Sequence, residues 1–286
     1  MTNPAAPLMA SLVGAWQDRR VQIALGGIAI GYLVLRWYLL LTTGDPLSGA
    51  DAFTYWSAPY DNPYPGPQLG LPGAYLYPPP FIQVLAPLRL LPWEAFHAVW
   101  AALGFGALIF LVGPIGGALA ITLLPFVYRD LLVGNIHLML GVAIVLGIRY
   151  SSAWAFPILT KLTPGVGLLW FAGKRDWKGV AVGLGAAAAI ALASFALAPS
   201  LWFEWLARLR GDSARAGDVY VALIGVRLAL AAAIVVYAGW RGRAWLVPLA
   251  VVLAVPILWP DSLAILLACF PLAARRPAPD SPERAR

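Results

Sequence analysis

The chain has 286 residues, of which 61% are hydrophobic and only 12% are charged, and its mean hydropathy is +0.77. Soluble domains contain about 45–50% apolar and about 25% charged residues, so this chain has too few charged side chains to cover a water-facing surface. Its single cysteine, Cys269, excludes an internal disulfide and a cysteine-based metal site. The composition therefore excludes a water-soluble domain and indicates a polytopic membrane protein whose exterior faces lipid.

The formal net charge of +7 would suit a nucleic-acid partner, but the placement of the charges explains it differently. By the positive-inside rule, basic residues beside apolar segments mark the cytoplasmic face. The basic residues expected inside are Arg19, Arg20, Arg149, Lys174, Arg175, Lys178, Arg241, Arg243, Arg275, Arg276, Arg284 and Arg286. The positive charge is thus a topology signal, and we expect no nucleic-acid partner.

Apolar segments recur along the chain, as in an all-α membrane protein. Residues 1–20 predict a cytoplasmic N-terminal segment, and residues 21–41 form an apolar run long enough to cross a bilayer core of about 30 Å. A polar loop over residues 42–93 follows and should lie outside the cytoplasm. Further spans are predicted near residues 94–112, 116–128, 131–148, 179–198, 219–240 and 244–258, with a shorter return over 261–273. The sequence thus predicts one transmembrane domain, 21–273, with about eight spans, and a disordered cytoplasmic tail, 274–286.

Residues 152–172 pose a topological conflict. Arg149 and the basic residues from Lys174 to Lys178 should both be cytoplasmic, yet one apolar span between them would separate them. A re-entrant hairpin with its turn at Lys161-Leu162-Thr163-Pro164 removes the conflict. Non-helical backbone at membrane depth is tolerated where it is buried in protein or lines a cavity. A single span is the alternative, and residues 244–273 follow the same pattern.

Asp51 is the candidate catalytic residue of the long external loop. Asp51 and Tyr55 fall on one face of a short predicted helix, so the carboxylate could act as a general base beside the phenol. The structural alternative is a capping box, in which Ser48 is the N-cap and Asp51 is the third helical residue. The residues alone leave both interpretations open.

The same loop is dense in aromatic residues and prolines. Tyr64 follows Asn62-Pro63, and Tyr77 precedes three prolines. Because aromatic faces stack on the apolar faces of sugars, these tyrosines are candidates for binding a sugar or a lipid headgroup. A polyproline segment that packs the loop onto the membrane surface would have the same composition.

Three cations in or near apolar segments are candidates for binding a lipid-linked phosphate. A charge at the depth expected for Lys161 costs about 2.5–3.5 kcal/mol on insertion scales and usually pairs or lines a polar cavity. Its alternatives are snorkelling to the interface or a salt bridge to a carboxylate. Arg227 lies inside its predicted span and could reach the outer interface. For Arg129, the alternative to phosphate binding is a surface ion pair with Asp130.

The segment Gly134-Asn135-Ile136-His137 opens a predicted span near the outer side. The Asn135 amide and the His137 imidazole could hydrogen-bond a substrate, whereas a lone histidine in a span is otherwise often a satisfied packing residue. The sequence has no Walker loop, zinc-helix motif or serine–histidine–acid signature. No His/Cys/Asp/Glu cluster has metal-ligand spacing, so we expect no metal and no cofactor.

In this order the motifs resemble glycosyltransferase family 87, the polyprenyl-phosphate-mannose-dependent α-mannosyltransferase-like family of the C-type glycosyltransferase superfamily. The motifs are Asp51 with Tyr55, Asn62-Pro63-Tyr64, Tyr77-Pro78-Pro79 with Leu85-Ala86-Pro87-Leu88, Gly134-Asn135-Ile136-His137-Leu138, Lys161-Leu162-Thr163-Pro164 with Lys174-Arg175-Asp176-Trp177, and Trp259-Pro260-Asp261-Ser262. The resemblance implies a helical bundle with a long first external loop and re-entrant or half-length helices.

The resemblance also implies a reaction in the plasma (inner) membrane. A mannose-like sugar would move, with inversion, from a polyprenyl-phosphate donor to a hydroxyl of a glycolipid or glycan acceptor on the extracytoplasmic side. Asp51 takes the place of the general base. The implied substrate contacts are Tyr55, Tyr64, Tyr77, Asn135 and His137, and the implied donor-phosphate contacts are Lys161, Arg129 and Arg227.

Two other functions remain open at this stage. A lipid or glycolipid transporter (flippase) would also be apolar, but such proteins usually show internal repeats, and this chain shows none. The family's members are usually longer, so a reduced, non-catalytic member that acts as an assembly partner is the other alternative.

Overall fold

The computed structural model describes residues 48–65, 73–213 and 223–274, together with the single positions Arg20, Ala24 and Gly31. These residues form α-helices, short 3₁₀ helices and the turns between them, with no strand among them. The predicted all-α membrane protein is confirmed. Most of the N-terminal segment, most of the predicted first span and the tail after Ala274 lie outside the described residues.

The described helices follow one another with short connections. The α-helices are α1 (Ala50–Ser57), α2 (Pro79–Leu85), α3 (Trp93–Leu123), α4 (Pro125–Val133), α5 (His137–Gly147), α6 (Ala155–Lys161), α7 (Leu169–Gly173), α8 (Trp177–Leu197), α9 (Pro199–Ser213), α10 (Ile224–Arg241), α11 (Leu246–Ala254) and α12 (Cys269–Ala274). The 3₁₀ helices are Leu88–Leu90, Ser151–Trp154, Thr163–Leu168 and Pro260–Ala268.

Three of the described helices are long and apolar enough to cross a membrane, namely α8, α10 and the Trp93–Pro114 part of α3. The pair α4 and α5 makes a fourth if it is counted as one span, although its two parts meet at 107°. The spans predicted near residues 94–112 and 179–198 correspond to α3 and α8. The total of about eight spans stays a prediction, because part of the chain lies outside the described residues.

Glycine and proline decide where α3 and α4 break. Gly113 has φ 75° and kinks α3 beside Pro114, between the spans predicted near residues 94–112 and 116–128. The helix then continues to Leu123, and Pro125 begins α4. The predicted span over 116–128 is therefore wrong. Pro125 lacks the N–H that would continue α3, and its ring favours the first turn of a new helix.

The predicted span over 131–148 is also broken, between α4 and α5. Gly134 has a left-handed φ of 73° and ends α4, and the N–H groups of Gly134 and Asn135 both donate to the Asp130 carbonyl. A Cβ on Gly134 would lie 2.7 Å from the Cβ of Ala52 on α1. Glycine alone combines this backbone conformation with so close an approach, so the break forms where α1 packs against α4.

The chain reverses direction after α6. Leu162 has φ 56°, and the following 3₁₀ helix returns along α6. Glycines let the two arms touch, since a Cβ on Gly165 would overlap Ile158 and a Cβ on Gly167 would overlap the Trp154 ring. The two arms therefore lie side by side, as a hairpin requires. Their position relative to the membrane stays a prediction.

Aromatic packing fixes α1 against the bundle. The Tyr55 ring meets Tyr77, Phe81 and Trp100 edge-on, with centroid distances of 5.1, 5.2 and 5.4 Å. Such pairs stabilise by about 0.5–1.5 kcal/mol each beyond their buried area. At the start of α1, the Gly49 N–H donates to a carbonyl of α4 at 2.7 Å. These contacts hold α1 beside the break between α4 and α5.

Close backbone packing joins the C-terminal helices. α10 packs against α7 and α11, and a Cβ on either Gly173 of α7 or Gly239 of α10 would lie 2.3 Å from a carbonyl oxygen of the other helix. Small residues at such crossings are common between membrane helices. The 3₁₀ helix Pro260–Ala268, which follows α11, packs against both α4 and α5. It thereby reaches the same break that α1 contacts.

Candidate functional site

Asp51 lies near the start of α1, where Gly49 and not Ser48 is the N-cap residue. No side chain caps this helix end, so the capping box predicted for Ser48 and Asp51 is wrong. Gly49 has a left-handed φ of 71° and passes so close to His97 that a Cβ there would lie 3.0 Å from the ring. The helix therefore starts one residue later than the capping box requires, and the Asp51 carboxylate bonds across the fold instead.

Asn135 connects Asp51 to Asp261. Its Nδ2 donates to Asp51 Oδ2 at 2.7 Å and lies 3.4 Å from Asp261 Oδ2. The Asn135 Oδ1 accepts from the Ile136 N–H at 2.8 Å. This contact assigns the orientation of the amide, because only its nitrogen can donate to the carboxylates. One amide therefore bridges a carboxylate of α1 and a carboxylate of the 3₁₀ helix Pro260–Ala268.

His137 lies in a buried polar cluster. Its Nδ1 is 2.9 Å from Asp130 Oδ1 and 3.3 Å from Asp261 Oδ2, and its Nε2 is 3.3 Å from Ser262 Oγ. The side chains of His137 and Asp130 are 0% and 1% exposed. The protein thus provides partners for both ring nitrogens, as in the alternative of a satisfied buried histidine. Direct contact of His137 with a substrate stays a prediction.

Asp130 organises the break between α4 and α5. Its backbone carbonyl accepts the two N–H groups that end α4, and its Oδ2 accepts the Leu138 N–H at 3.1 Å. Leu138 is in the first turn of α5, where N–H groups have no partner within the helix. Asp130 therefore closes one helix with its backbone and begins the next with its side chain, which fixes Asn135 between them.

Arg129 pairs with Asp261 and not with its neighbour. Its Nε lies 3.5 Å from Asp261 Oδ1, and its side chain is 43% exposed. The predicted surface ion pair between Arg129 and Asp130 is wrong, because adjacent residues on a helix do not face each other and Asp130 points inward to His137. Asp261 contacts the inner edge of the guanidinium, and the exposed part can meet a ligand.

Lys161 lies at the end of α6, and its Nζ is 5.5 Å from the centroid of the Tyr77 ring. The hydroxyls of Tyr77 and Tyr55 are 2.7 Å apart. Burial raises the pKa of both phenols well above its ordinary value, so both stay neutral. The Lys161 ammonium also acts on Asp51, whose pKa it lowers. The structure thus brings Lys161 and the two tyrosines to the surroundings of Asp51.

Tyr64 and Arg227 support neighbouring parts of the fold. The buried Tyr64 donates its hydroxyl proton to the backbone carbonyl of Tyr77 at 3.1 Å. Arg227 on α10 donates from Nη2 to the Pro256 carbonyl at 3.0 Å, in the segment that precedes the 3₁₀ helix with Asp261. Their contacts with a substrate stay predictions.

The surroundings of Asp51 raise its pKa to about 6. Burial is the main cause, because it disfavours the charged carboxylate. The charges of Lys161 and His137 lower the pKa, and the carboxylates of Asp261 and Asp130 raise it. A base with a pKa near 6 is ionised at neutral pH and still accepts a proton effectively.

Asp130, His137 and Asp261 are the described residues that could hold a metal ion, since each offers one ligand atom and these atoms lie within 4.8 Å of one another. The His137 ring already lies between the two carboxylates and beside Ser262, so the three groups satisfy one another without a metal. The expectation of a metal-free site stays a prediction.

Asp130 and Asp261 are the residues of this site to which the sequence-based expectations assign no role. A usable signal exists, because carboxylates in apolar membrane segments are rare and usually pair or mark a functional position. Asp130 lies between the predicted spans 116–128 and 131–148, and Asp261 is the first residue of the return over 261–273. Their partners could not be named, since these come from helices distant in the chain.

The chain is similar to a known protein family. The profile of glycosyltransferase family 87 matches residues 75–279. The matched stretch includes Arg129, Asn135 and Lys161, whereas Asp51 precedes it. No curated protein and no solved structure matches the chain. Because the matched stretch covers more than half of the chain, this all-helical membrane protein belongs to glycosyltransferase family 87 and is a glycosyltransferase.

Proposed function

We propose that the protein transfers a mannose-like sugar from a polyprenyl-phosphate donor to a hydroxyl of a glycolipid or glycan acceptor, with inversion. The observation that carries the proposal is the convergence of the half-buried Asp51 carboxylate with two cations. Lys161 acts on Asp51, and Arg129 pairs with Asp261, which the Asn135 amide links to Asp51. A base and two cations in one cluster suit a reaction that removes a proton from one oxygen and releases a phosphate from another.

Asp51 accepts the proton of the acceptor hydroxyl as that oxygen bonds to the anomeric carbon. The bond between the anomeric carbon and the phosphate oxygen breaks, and polyprenyl phosphate leaves with the electron pair. Attack occurs on the face opposite to the phosphate, so the configuration inverts. Lys161 and Arg129 stabilise the negative charge that develops on the phosphate, and no general acid is required. Asp51 then releases its proton to solvent.

The charge distribution supports a site that opens to the extracytoplasmic side of the plasma (inner) membrane. Arg149 and Lys174 flank the hairpin, and both are expected at the cytoplasmic face. From Arg149 the chain passes through the 3₁₀ helix Ser151–Trp154 and then α6, which ends at Lys161. At about 2.0 Å per residue in the 3₁₀ helix and about 1.5 Å in α6, it rises roughly 18 Å. Lys161 therefore lies deep in the membrane and away from the cytoplasm, where a donor presented from the outer leaflet can reach it.

The test is sugar transfer by the purified protein from a radiolabelled polyprenyl-phosphate mannose to a glycolipid acceptor. We expect Asp51→Asn to lower the rate about 10²–10⁴-fold, the usual contribution of a general base. Asp176→Asn is the matched control, because Asp176 caps α8 by accepting from the Gly179 N–H and asparagine caps a helix as well. It should keep the wild-type rate.

Full activity of the Asp51→Asn protein would contradict the role of Asp51. Movement of the lipid-linked sugar across proteoliposomes without any product would contradict transfer itself and favour a flippase. Stable co-purification with a larger transferase, without activity of the chain alone, would favour an assembly partner.

A further inference from the structure

We infer that Asp261 is a positioning residue that holds the base and the phosphate-binding arginine of one site in a fixed relation. The inference rests on the proposed function, in which Asp51 is the base and Arg129 meets the donor phosphate. Asp261 is 3% exposed, and its two carboxylate oxygens face different partners. It therefore contacts both Asn135, which bonds the base, and Arg129, and its burial keeps it from facing the reacting atoms.

One carboxylate oxygen of Asp261 acts on the base. Its Oδ2 lies 3.4 Å from the Asn135 Nδ2, which donates to Asp51 Oδ2 at 2.7 Å. An amide nitrogen has two hydrogens, so one serves each carboxylate. The Asn135 Oδ1 is held by a backbone N–H, and the amide cannot rotate without losing that bond. Asp261 thus determines where the second hydrogen points and keeps the first on Asp51.

The other oxygen of Asp261 acts on the cation. Its Oδ1 lies 3.5 Å from the Nε of Arg129, whose side chain is 43% exposed. A planar guanidinium held at one edge presents its remaining donors in a fixed direction. Because the same carboxylate contacts Asn135, a movement of Asp261 would displace the base and the arginine together.

Asp261 is itself held in place by a buried neighbour. The Nδ1 of His137 lies 3.3 Å from Asp261 Oδ2 and 2.9 Å from Asp130 Oδ1. Asp130 is anchored by the Leu138 N–H, so the imidazole has little freedom. This order of contacts gives His137 and Asp130 a supporting role, and it explains why the three polar side chains are buried together.

The inference is tested first by kinetics of Asp261→Asn, which keeps the shape of the side chain and removes its charge. We expect kcat to fall about 10- to 100-fold, the size of effect caused by a misplaced reacting group, and the donor KM to rise because Arg129 loses its anchor. The low-pH limb of kcat/KM should move to lower pH, because a negative charge that raises the pKa of Asp51 is removed. Lys161, His137, Asp130 and the tyrosines Tyr55 and Tyr77 also face Asp51 and are unchanged in this variant.

Asp176→Asn again serves as the control and should change neither kcat nor the position of the low-pH limb of kcat/KM. An Asp261→Asn protein with wild-type kcat and an unmoved limb would overturn the inference. If Asp261→Asn does not accumulate as folded protein, Asn135→Ala tests the same bridge at a half-buried position. It should lower kcat by a similar factor with an apparent Tm close to that of the wild type, and a wild-type kcat would overturn the inference.

A second measurement needs no activity. Apparent melting temperatures of the wild type, Asp51→Asn, Asp261→Asn and the double variant are compared between pH 4 and 8. Residues that share one hydrogen-bond partner are expected to give non-additive shifts, and additive shifts at every pH would overturn the inference even if Asp51 is the base. Non-additive shifts in a protein without transfer activity would support the bridge and overturn the proposed function instead.

Discussion

Asp51 combines two properties that oppose each other in one residue. In its proposed role as general base, Asp51 must be charged at neutral pH, yet its surroundings favour the neutral form and raise its pKa to about 6. The Asn135 amide and the Lys161 charge partly compensate for the burial. The result is a carboxylate that is ionised at pH 7.5 at the expense of folding stability, a pattern typical of catalytic groups.

This opposition predicts that Asp51→Asn makes the protein more stable as it becomes inactive. The folded protein holds the Asp51 proton more tightly than the unfolded chain, in which the pKa is near 3.9. The stabilisation from the protonated carboxyl is therefore complete below about pH 4 and is lost as the pH rises through about 6. Asparagine is neutral at every pH and loses no such stabilisation. The free energy of unfolding of the variant should therefore exceed that of the wild type by up to about 3 kcal/mol at pH 7.5.

Thermal melts of the wild type and Asp51→Asn across this pH range check the prediction. The difference in apparent Tm should be largest above pH 7 and should vanish near pH 4. The wild-type kcat/KM should fall tenfold per pH unit below about pH 6, because the base becomes protonated. A wild type that is the more stable protein at pH 7.5 would contradict the prediction.

At the scale of elements, the site depends on the break between α4 and α5. In a continuous helix through residues 131–148, Asn135 and His137 would project from the same helix axis. The 107° bend instead directs the Asn135 amide to α1 and His137 into the bundle. Gly134 makes the bend possible through its left-handed backbone and its close contact with Ala52. The geometry of the site is thus determined by a glycine that contacts no reacting group.

Gly134→Ala should therefore damage both stability and activity. A left-handed alanine costs about 1–2 kcal/mol, and the clash of its Cβ with Ala52 adds about 1–3 kcal/mol. The bend should open, and kcat should fall because Asn135 moves. Chemical denaturation in detergent and the transfer assay measure the two effects.

Gly242→Ala is the control for this prediction. Gly242 has a left-handed φ of 67° at the end of α10, and a Cβ there would meet nothing within 4 Å. It shares the backbone strain of Gly134 and lacks the close contact, so it should cost only about 1–2 kcal/mol and keep kcat. Equal losses of stability and activity in both variants would contradict the role assigned to the contact with Ala52.

At the scale of the whole molecule, the hairpin over 152–172 decides the topology. Its arms lie side by side in the structure, with glycines of the returning arm against Trp154 and Ile158. If the hairpin is re-entrant, the two residues that flank it, Tyr150 and Trp177, face the same side of the membrane. Both are exposed, at 54% and 67%, and cysteines at these positions are accessible to a reagent.

We expect Tyr150→Cys and Trp177→Cys, each made in a Cys269→Ser background, to react with a membrane-impermeant maleimide in inverted vesicles and not in intact cells. The positive-inside rule assigns both to the cytoplasm. Labelling of one from outside and of the other from inside would show a single span in place of the hairpin.

Sequence patterns predicted those parts of the molecule that depend on neighbours in the chain. The apolar segments predicted α3 and α8, and helical spacing predicted that Asp51 and Tyr55 share a face. The contacts that build the site are of another kind. The bond from Asn135 to Asp51 joins residues 84 positions apart, and a single sequence holds no local signal for such a pair.

The breaks near Pro125 and Gly134 were harder to predict for a physical reason. The mean hydropathy stays high across both breaks. An average over about 20 residues, the length of a membrane span, therefore does not detect them. The competing signals are local, namely a proline without an N–H and a glycine that can adopt a left-handed backbone. The predicted ion pair between Arg129 and Asp130 was also wrong, because the two residues are adjacent in sequence but face different partners.

The Asn135 bridge also sets the moment during biosynthesis at which the site can form. Asp261 follows Asn135 by 126 residues, and a ribosome that adds about 5–20 residues per second needs roughly 6–25 s for that length. During this interval α1 and the break between α4 and α5 can already be in the membrane, with no carboxylate to orient Arg129 or complete the bridge. Until its last apolar helices insert, the nascent chain therefore lacks the carboxylate that orients Arg129 and completes the bridge, and an early termination product would enter the membrane with an incomplete site.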